Sequence, residues 1–189
     1  MGNDSKLIFY RGKYVDLKVL DESDIYDSEW VGWFNDQDLC KYNLHHYFPN
    51  NYQNEIGILK SLDKNNKHIQ LGVINKSNPE SICGVVSLNS IDYIHRNANI
   101  SGMIGDKKAQ RNPLVLIESY SFLIKHAFNQ LGLNKITDAT LHPNVYLALK
   151  KYFNFEKEGV YKKHVFKDGE FRDLTIIALF ANSVIYPEI

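Results

Sequence analysis

The stretch Ala98–Leu141, ANISGMIGDKKAQRNPLVLIESYSFLIKHAFNQLGLNKITDATL, decides the fold. Ala98–Ile104 reads as a strand, closed by Gly105-Asp106. After the polar Lys107–Asn112, the residues Leu116, Tyr120, Leu123, Ala127 and Leu131 recur at helical spacing, and Gly132 stands where a helix stops. Lys135–Leu141 is strand-like again. A strand, a long helix and a second strand in succession predict a parallel pair with the helix crossing one face.

The rest of the chain reads outward from this unit. Tyr14–Leu20 alternates, with Val15, Leu17 and Val19 on one face, as a half-buried strand does. Asp21-Glu-Ser-Asp24 offers caps for a helix over Ile25–Phe34. Asn35–Pro49 is polar and aromatic without period and reads as a long loop or a short helix with loop flanks; Tyr52–Leu62 is expected as a second helix, and Asp63–Lys67 as a turn. Ile69–Ile74 and Ile82–Leu88 predict a hairpin across an Asn- and Pro-bearing connection. Pro143-Asn144 opens a shorter helix with Tyr146, Leu149 and Phe153 on one face. Val160–Phe166 and Leu174–Phe180 finish as strands around an Asp168-Gly169 turn. The expected class is α/β (α+β), one domain over residues 1–189. Its sheet has about seven strands, mostly antiparallel with one parallel pair, flanked by helices.

The 189 residues carry 22 Lys+Arg and 22 Asp+Glu, a net charge of zero. This excludes a generally basic nucleic-acid binder. The zero hides a division: residues 1–95 hold 9 basic and 13 acidic residues, net −4, and residues 96–189 hold 13 and 9, net +4. Basic residues of the second half, such as Lys150, Lys157 and Lys163, lack the aromatic interleaving of an RNA platform, so no nucleic-acid partner is expected. Met1–Lys6 is polar with no apolar segment behind it, and no run reaches the roughly 18 apolar residues of a membrane span. With Cys40 and Cys83 in no ligand spacing, the expectation is a cytoplasmic protein with free thiols and no membrane partner.

Several strings, in this order, resemble the GNAT superfamily of N-acetyltransferases, nearest its ribosomal-protein and polyamine acetyltransferase branch. They are Trp33-Phe-Asn-Asp36, Ile91-Asp-Tyr-Ile-His-Arg-Asn97, Met103-Ile-Gly-Asp106, His126-Ala-Phe-Asn-Gln-Leu-Gly-Leu-Asn-Lys-Ile136 and Phe166-Lys-Asp-Gly-Glu-Phe-Arg-Asp173. The resemblance implies a GNAT fold whose central strand splays from its neighbour to receive the pantetheine arm of acetyl-CoA as co-substrate. It places Ile100, Gly102, Met103 and Ile104 along that arm, Arg111, Asn112, Leu114 and Val115 at the pyrophosphate, and Asn144 beyond it. An anion there would meet the free amides and dipole of a helix N-terminus. The acceptor pocket falls on Trp33, Asn35, Tyr42 and His46. Dimers through the C-terminal strands are frequent in such folds.

Three positions depart from the pattern. The phosphate loop of the superfamily is Arg/Gln-x-x-Gly-x-Gly/Ala. Starting from Arg111, its glycines fall on Leu114 and Leu116; starting from Gln110, they fall on Pro113 and Val115. Pro113 supplies no N–H but suits the first turn of a helix. Many members carry Glu at the place of Asn99, where it deprotonates the amine; Asn cannot take that proton. His95 and His46 are the histidines in plausible reach. Finally, Asn154 replaces a glycine, an exchange Asn tolerates. The Tyr that often protonates departing CoA falls at Lys150, leaving Tyr152, with Tyr146 nearby, as the expected general acid.

His45-His46 has no third ligand in the sequence, so no metal site is expected. The function expected is acetyl transfer from acetyl-CoA to a primary amine of a small molecule or peptide: a protein N-terminus, a polyamine or an amino sugar. The acidic first half suits a cationic amine. The alternative is a GNAT-fold binding or assembly protein that no longer transfers acetyl.

Overall fold

Residues 7–62 and 66–189 are described by the structure, a computed structural model. Met1–Lys6 and most of the expected Asp63–Lys67 turn lie outside them. In chain order the elements are β1 (Ile8–Arg11), β2 (Val15–Val19), α1 (Glu22–Tyr26), α2 (Trp30–Asn35) and α3 (Tyr52–Leu62). Then come β3 (Ile69–Asn75), β4 (Gly84–Asp92), β5 (Asn97–Ile104), a 3-10 turn (Ala109–Arg111), α4 (Leu114–Asn129), β6 (Lys135–Thr140), α5 (Pro143–Phe153), β7 (Glu156–Lys167) and β8 (Glu170–Phe180).

One sheet of eight strands runs β1-β2-β3-β4-β5-β6-β8-β7. Every neighbouring pair is antiparallel except β5 and β6, the pair that the Ala98–Leu141 pattern predicts to be parallel. The eighth strand is β1, whose IFYR is too short to show a period of its own. The turn that joins it to β2 is held from the side: the Glu118 carboxylate of α4 accepts the amides of Lys13, Tyr14 and Val15 at 2.7–2.8 Å. Gly12 belongs to that clasp, because a Cβ there would lie 2.7 Å from the Glu118 carboxyl carbon.

Helices cover both faces. Val15, Leu17, Leu71, Val86, Leu88, Ala98, Ile100 and Ile136 bury against α4 and α5, where Leu123, Ile124, Leu149 and Phe153 are fully enclosed. Full burial of each such side chain contributes about 1.5–3 kcal/mol. Ile74, Val85 and Met103 turn the other way and pack with Trp30, Trp33, Ile56 and Leu59 of α1–α3.

The helix expected over Ile25–Phe34 is two. The Ser28 hydroxyl donates to Asp24 O (2.5 Å) and accepts the Trp30 N–H (3.3 Å), so a side chain replaces the helical ladder at the break. Asp168 and Gly169 both take positive φ, as a two-residue hairpin turn requires. Asn154 ends α5 in the left-handed region (φ 71°, ψ 35°), filling the place of the glycine.

Candidate active site

The parallel pairing of β5 and β6 is short. Registered pairs are Asn97 with Lys135, Ala98 with Ile136 and Asn99 with Thr137; beyond them the strands diverge. β6 continues along β8, and β5 continues along β4 to Ile104. Ile100–Ile104 therefore has no strand partner on its β6 side. Four of the residues expected along a pantetheine arm, Ile100, Gly102, Met103 and Ile104, stand together on this segment. The Ile104 carbonyl already accepts from Gln110 Nε2 (2.8 Å), which ties the wide end of the gap to the 3-10 turn before α4.

The gap has two chemically different faces. On the α4 face Gly102 lies under Tyr120: a Cβ at Gly102 would come within 2.7 Å of Tyr120 Cε1 and 2.9 Å of Val86 Cγ1. Asp138, the first β6 residue past the last pair, shares this face with Ile136. Asp138 is partly exposed, yet protein crowds it closely enough that burial pushes its pKa up to about 7. The Ala139 N–H donates to Asp138 Oδ1 at 2.7 Å and pulls weakly the other way. Tyr120 is driven well above its ordinary range by burial first and by the Asp138 charge second.

On the α1–α3 face stand Ser87, Asn89, Asn99, Ser101 and Thr137. Ser87 and Ser101 share a hydrogen bond of 2.8 Å, Asn89 Nδ2 donates to both hydroxyls, and Thr137 Oγ1 donates to Asn99 Oδ1. Asn99 thus sits at the mouth of the gap as an amide hydrogen-bonded across it.

The start of α4, where a pyrophosphate is expected, differs from a glycine loop in a specific way. Asn112 Oδ1 accepts the Leu114 N–H (3.1 Å), and Asn112 O accepts the Val115 N–H (3.1 Å). Pro113 supplies none. It stands at the cap rather than one residue inside, with φ −61° and ψ −20°. Asn112 therefore occupies, with its own oxygens, two of the donors an anion would use; Leu116 retains the third. Arg111, exposed, stands beside this turn.

The other expected residues have distinct places. Asn35 closes the Asn35–Asn50 loop: Nδ2 donates to Val31 O and Asn50 O, and Oδ1 accepts the Asn50 N–H. Trp33 is core, stacked on Gly105 so closely that a Cβ there would meet the ring at 1.9 Å. Its edge borders a cleft of about 420 Å³ with Glu29, Asp36, Gly105 and Lys107. His46, at φ 67°, lines a second cavity of about 260 Å³ with Asp38, Lys41, Tyr47, Lys167 and Asp168. Tyr42 packs on the His142 ring at 4.3 Å. His142 caps α5 by accepting the Asn144 N–H at Nδ1. Asn144 itself is exposed at that helix start. Tyr152 is half-buried on α5 under the Lys151 ammonium (5.2 Å). His95 lies in the β4–β5 turn, its N–H bonded to Asp92 Oδ1, at the closed end of the parallel pair rather than beside the gap.

Two features escaped the sequence. Asp138 had a signal: Ile136, Asp138 and Thr140 alternate on the buried face of a strand, where a lone carboxylate is out of place. Lys167 had none. Its buried ammonium donates to Asn43 O (2.8 Å) and His45 O (2.9 Å) and lies 5.0 Å over Tyr47, pinning the Asn35–Asn50 loop from β7.

No family model and no curated protein matches the sequence. Solved structures do match the fold. Spermidine N-acetyltransferase from Vibrio cholerae, in complex with CoA and spermine, superposes with a TM-score of 0.78 at 18% identity, over 91% of this chain and 98% of that one. A structure described as a probable acetyltransferase gives 0.76 at 21% identity, over 89% and 94%. The chain has the GNAT fold. A further Vibrio cholerae spermidine/spermine acetyltransferase structure, at TM-score 0.68 and 19% identity, holds manganese ions. Among the described residues of this chain, no group of three or more His, Cys, Asp or Glu is placed to hold a metal. No helix described is long and apolar enough to cross a membrane.

Proposed function

We propose that this protein is an N-acetyltransferase that moves acetyl from acetyl-CoA to the primary amine of a polyamine-like acceptor. One observation carries the reading: β5 and β6 part after Asn99 and Thr137, leaving Ile100–Ile104 open to a ligand between an acceptor loop and the start of α4. The arm of acetyl-CoA would lie against this backbone, its phosphates toward Arg111 and Leu116. A strand N–H would polarise the thioester carbonyl where negative charge develops. The amine would enter from the α1–α3 side, over Asn99 and Ser101, under the loop that carries Tyr42 and His46. The polyamine bound by the Vibrio cholerae relative supports such an acceptor; in the His46 cavity Asp38 and Asp168 are balanced by Lys41 and Lys167, so the charge of that cavity alone selects no cation. A peptide amine or amino sugar would meet the same chemistry with less charge.

The test is a thermal-shift titration with acetyl-CoA, followed by thiol release with spermidine, spermine, an amino sugar and a peptide N-terminus. A ligand that binds the native state raises the melting temperature. The expected result is a rise with acetyl-CoA and fastest thiol release with a polyamine. No shift at millimolar acetyl-CoA would overturn the reading and leave the fold as a binding or assembly module. Light scattering of the full chain reads whether two copies associate through β7 and β8.

A further inference from the structure

The acetyl-transfer reading assigns no proton donor on the leaving side of the reaction, and the α5 tyrosine expected there, Tyr152, is half-buried against the core. A carboxyl stands at the gap itself. From Asn99 to Ile104 the open edge of β5 spans five residue steps, roughly 17 Å at strand rise. An arm anchored by phosphate at the wide end, near α4, puts its reactive tip at the narrow end. There the last β5–β6 pair is Asn99 with Thr137, and the next residue on β6 is Asp138.

We propose that Asp138 is the proton donor to the departing thiol, an inference that rests on the acetyl-transfer reading. Three observations place it. It stands at the point where the strands part. It shares the α4 face with Tyr120 and Gly102, the face opposite the Asn99–Ser101 surface over which the amine enters. Its carboxyl accepts a single backbone bond, from Ala139, leaving its other oxygen for a proton. A group behind the sheet serves the leaving sulfur rather than the incoming nitrogen.

In the step, the amine nitrogen bonds to the thioester carbon, and the C–S bond then breaks with its electron pair passing to sulfur. The Asp138 carboxyl gives its proton to that sulfur, forming the thiol, and becomes a carboxylate. The amine's surplus proton leaves to water on the acceptor side. Water entering the gap then returns a proton to Asp138. Burial keeps this carboxyl partly protonated near neutral pH, as a donor must be. The titratable group facing it from α4 is Tyr120, neutral throughout this range, and from β8 its register partner is the apolar Ile177; α5, which packs on β6, brings Tyr146 and Tyr152 to the same core.

The experiment compares wild type with Asp138→Asn, which keeps the shape and the acceptor for the Ala139 N–H. With acetyl-CoA and a polyamine, kcat is expected to fall about 100-fold, with the acetyl-CoA midpoint of the thermal shift unchanged. The alkaline limb of the wild-type pH–rate profile is expected to vanish in the variant. S-acetyl thiophenol, whose thiolate leaves without a proton, is expected to narrow the difference between the two proteins to less than about threefold. Equal kcat and the same pH limb in both proteins would overturn the inference while leaving acetyl transfer standing. So would an equal loss with both donors. A wild type that releases no thiol with any amine would overturn the acetyl-transfer reading and this inference with it.

Discussion

The two faces of the β5–β6 gap are separated by one strand thickness and differ in kind. Toward α1–α3 the gap presents hydroxyls and amides of Ser87, Asn89, Asn99, Ser101 and Thr137, bonded to one another. Toward α4 it presents a carboxyl near its titration point beside a buried phenol. Hydroxyls and amides orient an amine but take no proton from it; the carboxyl exchanges one near neutral pH. On the proposed acetyl transfer, proton chemistry would thus be concentrated on the leaving-group side, and the amine would react in the fraction that arrives neutral.

The largest test places a base on the poor side. Asn99→Glu adds a carboxylate at the mouth of the gap and breaks the bond from Thr137. General-base assistance contributes about 10²–10⁴. We expect a gain of about 100-fold in kcat/KM at pH 7 that shrinks toward pH 10, where the amine is neutral unaided. Initial rates over that range measure it. A flat, unchanged profile would show that proton removal from the amine does not limit the reaction.

Next is the partition between the faces. Gly102→Ala drives a methyl against Tyr120 and Val86, at 2.7 and 2.9 Å before relaxation. Overpacking of this kind costs about 1–3 kcal/mol. Denaturant unfolding should show that loss. On the proposed reaction, thiol release should fall further than stability accounts for, because the methyl would displace Tyr120, the phenol that feels the Asp138 charge.

How much of this was legible follows from periodicity. Leu116, Tyr120, Leu123 and Ala127 recur along α4, and the parallel crossover follows from strand, helix and strand in that order. β1 was not legible, because four residues show no period and its Tyr10 finds its partners, Phe122 and His126, more than a hundred residues away on α4. The departures at Leu114, Leu116 and Asn99 were visible as missing glycines and a missing acid. What replaces them was not. Asp138 acquires its character only from where β5 and β6 stop pairing, and Lys167 only from the loop carbonyls that fold onto it. Both are contacts between distant segments, which local pattern cannot register.

Asp138 also marks the faces by stability. Its folded pKa, about 7, lies above the ordinary carboxylate value of 3.8. The folded protein therefore holds a proton that the unfolded chain releases between about pH 4 and 7. That contribution is intact below pH 4, declines as pH rises through the window, and is gone above about 7. For a carboxyl that solvent reaches, the loss is on the order of 1–2 kcal/mol. Melting temperatures of wild type and Asp138→Asn should agree at pH 4 and diverge by pH 8, with the variant higher. A comparable polar substitution on the opposite face, Ser101→Ala, should give a pH-independent difference.

The smallest effect concerns the wide end, where both faces meet α4. Asn112 Oδ1 caps the Leu114 amide, so on the proposed function an incoming phosphate oxygen would compete with a side chain already in place. Asn112→Ala removes the competitor and the cap together. Loss of such a cap costs about 0.5–2 kcal/mol, which the melting temperature of the free protein should record. The exposed amide then becomes available to an anion at a helix start, where charge and dipole each favour it. Calorimetric titration with CoA should show tighter binding to the variant, about threefold, while dephosphorylated pantetheine should bind both proteins equally. Weaker CoA binding to Asn112→Ala would mean that Asn112 contacts the phosphate itself, and the Leu114 cap would then be a resting arrangement that the ligand recruits rather than displaces.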